Sequence, residues 1–308
     1  MVMNEIAQKR DAASREEMIA RIRGSFQADG AVEPIPGFHL SRASHPTERL
    51  HGVSKLSLCV IAQGSKEVCL GDATYRYDAD NYLLSTVELP VTGRIVVATE
   101  ARPYLSLWID LDPTLVGSVM AEADLGAPPA SDAKAMGVSH VDAGLRDSII
   151  RVLRLFDSPT ETRMLMPLIM REIIFRLLTG EQGNRLRHLS TSGGNSHQIA
   201  NAVEKIRLNF DQPLRIESLA KEFGMSPSTF HHHFKSITDM SPLQFQKQMR
   251  LQSARQLMLS ERLDAMSAGR RVGYEDASYF SRDYKRYFGE SPIRDAERLR
   301  SLAGAGAE

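Results

Sequence analysis

Cysteine is scarce in this chain, net charge is absent, and long apolar runs are missing. Two cysteines in 308 residues exclude a disulfide-stapled scaffold and fit a reducing compartment. No stretch approaches the ~18 apolar residues of a membrane span, and the start lacks a basic-then-apolar leader. The expectation is a cytosolic protein with no membrane contact. Positive and negative side chains balance at 38 each, so overall charge announces no polyanionic partner. The balance is uneven along the chain. Residues 195–308 hold 17 Lys/Arg against 14 Asp/Glu, a surplus of three that the preceding residues offset. Histidines near the β-rich region (His39, His45 and His51) are irregularly spaced and read as loop or surface residues. A His-x-His pair, which a metal-binding strand would need, is missing there. No catalytic residue, metal or cofactor is expected, and no enzyme. The length suggests two domains, each able to bury a core.

Two helix-turn-helix patterns lie in the last third, at residues 214–235 and 263–285. In each, a short amphipathic helix ends at a glycine, Gly224 or Gly273, which can adopt the left-handed backbone that turns the chain. A cap and a second helix follow. Ser226 offers its oxygen to orphan N–H groups, and Pro227 suits the first turn, where no donor is needed. On a 3.6-residue wheel Phe230, Phe234 and Ile237 face inward, while Ser228, His231, His232 and Lys235 face outward. The second pattern repeats this, with Phe280, Tyr284 and Tyr287 inward and Ser278, Ser281, Arg282 and Lys285 outward. These eight outward residues are the candidate DNA-binding positions. Arginine in such a place can donate to guanine O6 and N7 together. His231, His232 and His233 cannot share one metal ion, because successive helical residues point ~100° apart.

Ser241 and Pro242 form another cap, and residues 243–260 carry neither Gly nor Pro. Leu243, Met249, Ala254, Leu257 and Met258 are its apolar positions. A helix of that length spans roughly 27 Å and could hold two reading helices about one DNA turn, ~34 Å, apart.

Residues 198–295 resemble the DNA-binding domain of the arabinose-regulator (AraC/XylS) family. The likeness runs through Leu219-Ala220, Gly224-Met225-Ser226, Phe234-Lys235, Met240-Ser241-Pro242, Arg250-Leu251 and Ala254-Arg255. It continues through Val272-Gly273-Tyr274, Phe280-Ser281, Tyr284-Lys285, Phe288-Gly289 and Ser291-Pro292. The resemblance implies a bacterial activator or repressor. It implies base-reading positions at Ser228, His231, His232, Ala277, Ser278, Ser281 and Arg282. One departure is Gly269, where the family usually has alanine; another is Ala265, where it has a larger aliphatic residue. A mid-helix glycine costs roughly 0.5–1 kcal/mol, so the second unit is expected to be the looser one.

Before residue 183 the texture differs. Residues 4–23 read as a helix packing through Ile6, Met18, Ile19 and Ile22. Short β-rich runs follow at 57–62, 66–70, 74–77, 82–87, 94–99 and 104–110. Gly64-Ser65 and Gly71-Asp72 sit where two-residue hairpin turns would fall. Residues 142–179 give two amphipathic helices, the first with Leu145, Ile149, Val152 and Phe156 at helical spacing, the second broken or kinked at Pro167. This half is similar to the cupin-like barrels of the same family through Ile35-Pro36-Gly37, residues 58–64, Leu70-Gly71, Tyr82-Leu83-Leu84, Leu89-Pro90-Val91 and Leu111-Asp112-Pro113. Leu168 and residues 171–178 extend it. The expected fold is α+β: an N-terminal cupin-like β-barrel with flanking helices over 1–182, a linker at 183–196, an all-α domain with two helix-turn-helix units joined by a long helix over 197–300, and a tail at 301–308.

If Gly64-Ser65 closes a hairpin, Cys59 opposes Leu70 and Val60 opposes Cys69, so the two thiols point to opposite faces and cannot bridge. Two function classes stay open. One is a sequence-specific transcription regulator that answers to a small-molecule effector in the barrel. The other is an effector-independent dimer whose barrel only holds two DNA-binding domains together. Expected partners are double-stranded DNA carrying two boxes per monomer, a second copy of the chain, and RNA polymerase if the protein activates.

Overall fold

The computed structural model describes residues 2–128, 133–190 and 195–305. Helix α1 (Val2–Gly24) leads into nine strands: β1 (Gly30–Ile35), β2 (Phe38–Ala43), β3 (Leu50–Ser54), β4 (Ser57–Gln63), β5 (Ser65–Leu70), β6 (Ala73–Asp78), β7 (Asn81–Ser85), β8 (Leu89–Val97) and β9 (Tyr104–Asp110). Then come α2 (Pro113–Glu122), β10 (Met136–His140), α3 (Ala143–Leu155), α4 (Pro159–Thr179) and α5 (Gly183–Ser190). The C-terminal helices are α6 (Asn195–Leu208), α7 (Ile216–Glu222), α8 (Pro227–Thr238), α9 (Pro242–Ser260), α10 (Ala265–Arg271), α11 (Ala277–Phe288) and α12 (Pro292–Ala305). On α1, Met18 and Ile22 are buried as expected; the side chain of Ile6 lies outside the described residues.

The β domain is two antiparallel sheets facing each other, in the orders β1-β2-β9-β4-β7-β10 and β3-β8-β5-β6, rather than a closed barrel. Alternation along β4 and β9 splits the six-stranded sheet into two faces. Leu58, Val60, Leu107 and Ile109 pack against α1, α3 and α4 through Ile22, Leu145, Ile149, Ile173 and Leu177. Cys59, Ile61 and Trp108 face the other sheet.

The expected β4–β5 hairpin does not form. Gly64, at φ +88°, carries the chain from one sheet to the other, because β4 pairs with β7 and β9 while β5 pairs with β6 and β8. Both cysteines are free. Cys59 looks into the space between the sheets, and Cys69, paired with Thr92 on β8, lies on the outer face of the smaller sheet. The Gly71-Asp72 turn forms as expected, with Leu70 opposite Ala73. His39 and His51 are strand residues, on β2 and β3, rather than loop residues. Pro167 does not break α4; it stands on the exposed side while Met166, Ile169 and Met170 are buried.

The segment expected as a linker is largely helical. Residues 183–190 form α5 with Leu186 fully buried, and α6 begins at Asn195. A second correction concerns the core. One continuous apolar cluster joins Leu70, Leu89 and Met136 of the sheets to Ile199, Phe230, Phe234 and Ile237 of the first helix-turn-helix unit. The second unit has its own cluster around Leu251, Ala254, Phe280 and Tyr284.

Candidate DNA interface and sensor cavity

Both recognition helices are built as their sequences dictate. At α8, Gly224 (φ +68°) turns the chain, and Ser226 Oγ accepts from Thr229 N at 3.2 Å. Phe230, Phe234 and Ile237 are buried. At α11, Asp276 accepts from the N–H groups of Ser278 and Tyr279 at 2.7 and 2.9 Å. Phe280 and Tyr284 are buried, and Tyr287 is half-buried. The eight residues assigned to the outward faces (Ser228, His231, His232 and Lys235; Ser278, Ser281, Arg282 and Lys285) are all exposed, as is Ala277. Each recognition helix thus offers a short polar and cationic surface on a rigid apolar back, the arrangement that a groove-reading helix needs.

What holds the two surfaces in one frame is Arg250, on α9. Its guanidinium donates to the carbonyls of Phe210 (2.6 Å), Asp211 (3.1 Å) and Gln212 (3.0 Å) after α6, and to Gly273 (2.9 Å) in the turn of the second unit. Gly273 has φ +89°, and a Cβ there would stand 2.1 Å from Asp211 O. The two units therefore meet backbone to backbone at this joint, and only glycine fits. With α9, a helix of 19 residues capped by the reciprocal Ser241/Gln244 box, the joint fixes one unit against the other. Of the positions expected to be apolar on α9, Met249, Ala254 and Met258 are buried, but Leu243 is largely exposed; Phe245 and Leu251 take the core instead.

Sequence reasoning missed two residues of this surface. Tyr279 is exposed beneath Arg282, whose guanidinium carbon lies 4.5 Å from the ring centroid. Its position one step from Ser278 was the available signal. Lys134 belongs to the N-terminal half, yet it shares an open notch with Ser228, His231, His232 and Lys235. It is held there by Asp239 at 3.0 Å, and no local pattern could have placed it.

The N-terminal half has a cavity of about 280 Å³ between its two sheets. Cys59 and Trp108 from the larger sheet and Lys66 and Tyr77 from the smaller one lie on its walls. Burial pushes the Cys59 thiol up from its ordinary range and raises the Tyr77 phenol well above its own.

Both sheets carry contacts to the DNA-binding half. Ala135 N, just before β10, donates to Ile237 O at 2.8 Å, and Tyr75 Oη, on β6 of the smaller sheet, to Asp239 at 3.3 Å. His51, on β3 of the smaller sheet, packs against both Tyr287 and Phe288, with ring centroids 4.6 and 4.7 Å away. Burial, and after it the Arg255 cation, lower the imidazole to about 4.

The N-terminal half, residues 34–185, matches the model of the AraC-type transcriptional regulator N-terminus, and residues 219–298 match that of a helix-turn-helix domain. The chain belongs to the AraC-type family of transcriptional regulators. It is 25% identical over 266 residues to the virulence regulon transcriptional activator VirF of Yersinia enterocolitica, covering 82% of this chain and 92% of that one. Over 84 residues it is 36% identical to the arabinose operon regulatory protein of Escherichia coli K12, covering 27% of each chain. Among solved structures it is similar to an apo form of ToxT from Vibrio cholerae carrying a single substitution, with a TM-score of 0.55 at 11% identity over 86% of this chain and 98% of that one. It is also similar to wild-type ToxT with an unsaturated fatty acid bound (TM-score 0.53, 11% identity, 88% and 97%). These place the chain among DNA-binding regulators rather than in an enzyme family.

Proposed function

We propose that this regulator reads one operator half per monomer as two unlike boxes about 10 base pairs apart, centre to centre, on one face of the duplex. Ser228, His231 and His232 contact one box; Ser278, Ser281 and Arg282 contact the other. Lys235 and Lys285 meet the phosphates. The observation that carries this reading is the frame itself: two exposed reading faces locked together by α9 and the four carbonyl bonds of Arg250. The sensor over residues 1–182 responds to a small molecule, for which the sheet-lined cavity is the site; that ToxT, similar in fold, takes an unsaturated fatty acid supports this. A second copy pairs across the exposed stripe Met164, Leu168 and Phe175 on α4, and RNA polymerase is the further partner if the outcome is activation.

The test is footprinting on operators with zero, five and ten base pairs inserted between the boxes. Five pairs turn the second box about half a turn away, and a rigid frame cannot follow. Affinity should fall to that of a single box and recover in part at ten. Protection of both boxes at unchanged affinity in the five-pair operator would show that the frame bends.

A further inference from the structure

Resting on the reading of residues 1–182 as a sensor, we propose that the cavity between the sheets takes a compact apolar molecule carrying one carboxylate. The walls are set by register. Cys59 and Trp108 are direct partners on β4 and β9, and Lys66 and Tyr77 are direct partners on β5 and β6. The two pairs face each other across the gap. Trp108 Nε1 is buried without a hydrogen-bond partner, and so is Tyr77 Oη apart from the Cys59 thiol beside it, a weak acceptor. Indole N–H can only donate, and buried donors left unpaired are rare enough in folded proteins to call for an occupant.

Lys66 adds a positive charge. Its side chain runs over Gly93, where a Cβ would stand 3.2 Å from Lys66 Cε, and among the described residues it forms no ion pair. No Asp or Glu lines the cavity. Asp110, two positions along β9 from Trp108, lies outside the lining; its Oδ2 meets His39 at 3.4 Å and Lys55 at 3.6 Å, while its Oδ1 is buried without a hydrogen-bond partner. The Arg94 guanidinium is likewise held by Glu67 at 3.0 Å. The cavity thus presents a cation and two unpaired donors with no acidic residue, beside the apolar side chains Val68, Leu83, Val91 and Ile95 and the hydroxyls of Ser54, Ser57 and Ser85. A neutral ligand would leave the half-buried Lys66 ammonium without a counter-charge. A carboxylate has two oxygens, enough to pair with Lys66 and accept from Tyr77 and Trp108 together. At about 280 Å³ the space lies at the small end of ordinary ligand sites, which selects a compact body.

Trp108 is the chain's only tryptophan, so its fluorescence reports on the cavity directly. Full-length protein is titrated with cyclohexanecarboxylate and octanoate, which do not absorb with tryptophan, and with the matching amides. The acids should change the emission, and the amides should bind about tenfold more weakly or worse. Lys66→Met should weaken the acids by a similar factor and leave the amides unaltered. Lys66→Arg, which keeps the charge, should restore most of the binding. Amides that bind as well as the acids, acid affinity unmoved by Lys66→Met, or no response to either acid would each overturn the proposal. Operator affinity measured with the same compounds separates this from the sensor reading. An acid that binds at Trp108 without changing operator affinity keeps the site and removes the sensor role. An amide that changes operator affinity where the acid does not keeps the sensor role and removes the carboxylate.

Discussion

In the first helix-turn-helix unit, Phe234 packs edge-on against Phe245 with ring centroids 5.8 Å apart. Fifty positions further on, the same two places hold Tyr284 and Asp295, and the phenol donates to the carboxylate at 2.8 Å. Asp295 has no exposed surface, and Arg255 and Arg298 complete its partners at 2.8 and 2.9 Å. The recognition helices end differently too. Asp239 closes α8 in a left-handed conformation and ties it to Lys134 and Tyr75 of the N-terminal domain, whereas Gly289 closes α11 with no side chain to offer. The first unit is therefore an apolar core finished by the N-terminal domain. The second is specified by a buried polar network of its own, and the N-terminal domain touches it beside that network, through His51 against Tyr287 and Phe288. One backbone plan tolerates both solutions, because each satisfies its buried groups in its own way.

The largest effect should come from breaking that network. Asp295→Ala leaves Arg255 and Tyr284 buried and unpaired, and should cost the second unit about 3–5 kcal/mol. Arg298→Ala, at the exposed edge, should cost under about 1 kcal/mol. Denaturation followed by hydrogen exchange in α11 distinguishes the two, and equal losses would mean that the pair does not organise this unit.

The comparison is sharpened on DNA by Arg282→Ala and its counterpart His232→Ala. Arg282→Ala should cost ~1–3 kcal/mol and relax one base pair; a binding selection that returns the unchanged preferred sequence would remove Arg282 from the reading face. Gly269→Ala makes the second unit resemble the first, which has Ala220 at the corresponding place. Helix propensity alone favours the change, but the new Cβ would stand 2.9 Å from Cγ of the buried Phe280. Net destabilisation of roughly 1–3 kcal/mol is expected from overpacking, and a rise in melting temperature would contradict it.

A smaller effect follows pH. His51 is lowered from 6.5 to about 4 while it packs against Tyr287 and Phe288, with Arg255, Arg49 and Asp295 the charged groups acting on it. A depressed pKa means that the docked form binds fewer protons. Its stabilisation is complete above pH 6.5 and is lost as pH falls toward 4. Hydrogen exchange in α11 should quicken across that window and that in α8 should not; His51→Phe should flatten the difference. Least in size, Lys235→Ala and Lys285→Ala should each shallow the salt dependence of DNA binding by about one unit of slope while leaving sequence preference alone.

The DNA-reading half was largely legible along the chain. Gly224, Ser226-Pro227 and the spacing of Phe230, Phe234 and Ile237 each state a local physical requirement, and the second unit repeats them. Most of the β runs were legible as well. Of the missed strands, three pair far along the chain: β2 with β9 some seventy residues on, β3 with β8 and β10 with β7; β1 pairs with the adjacent β2, but it is exposed and its register shifts between Val32 and Ile35, so it shows no alternation. Gly64 marks a turn in any sequence, but nothing local says whether the next strand pairs back or crosses to another sheet. Gly269 shows the limit from the other side. Its cost to a helix is readable from residue type, while its use, a close approach to Phe280, exists only once α10 lies on α11.

Local rules thus determined the two helix-turn-helix units, where their helices cap, and which side chains of α8 and α11 face away from the core, because capping, turn geometry and 3.6-residue periodicity act within a few residues. Tertiary structure alone decided that the sheets separate at Gly64, that Lys66, Tyr77 and Trp108 meet in one cavity, that residues 183–190 are helix rather than linker, and that His51 and Lys134 of the sensor reach the two DNA-binding units. Those outcomes depend on burial and pairing between residues tens to hundreds of positions apart, and no window of sequence contains both partners.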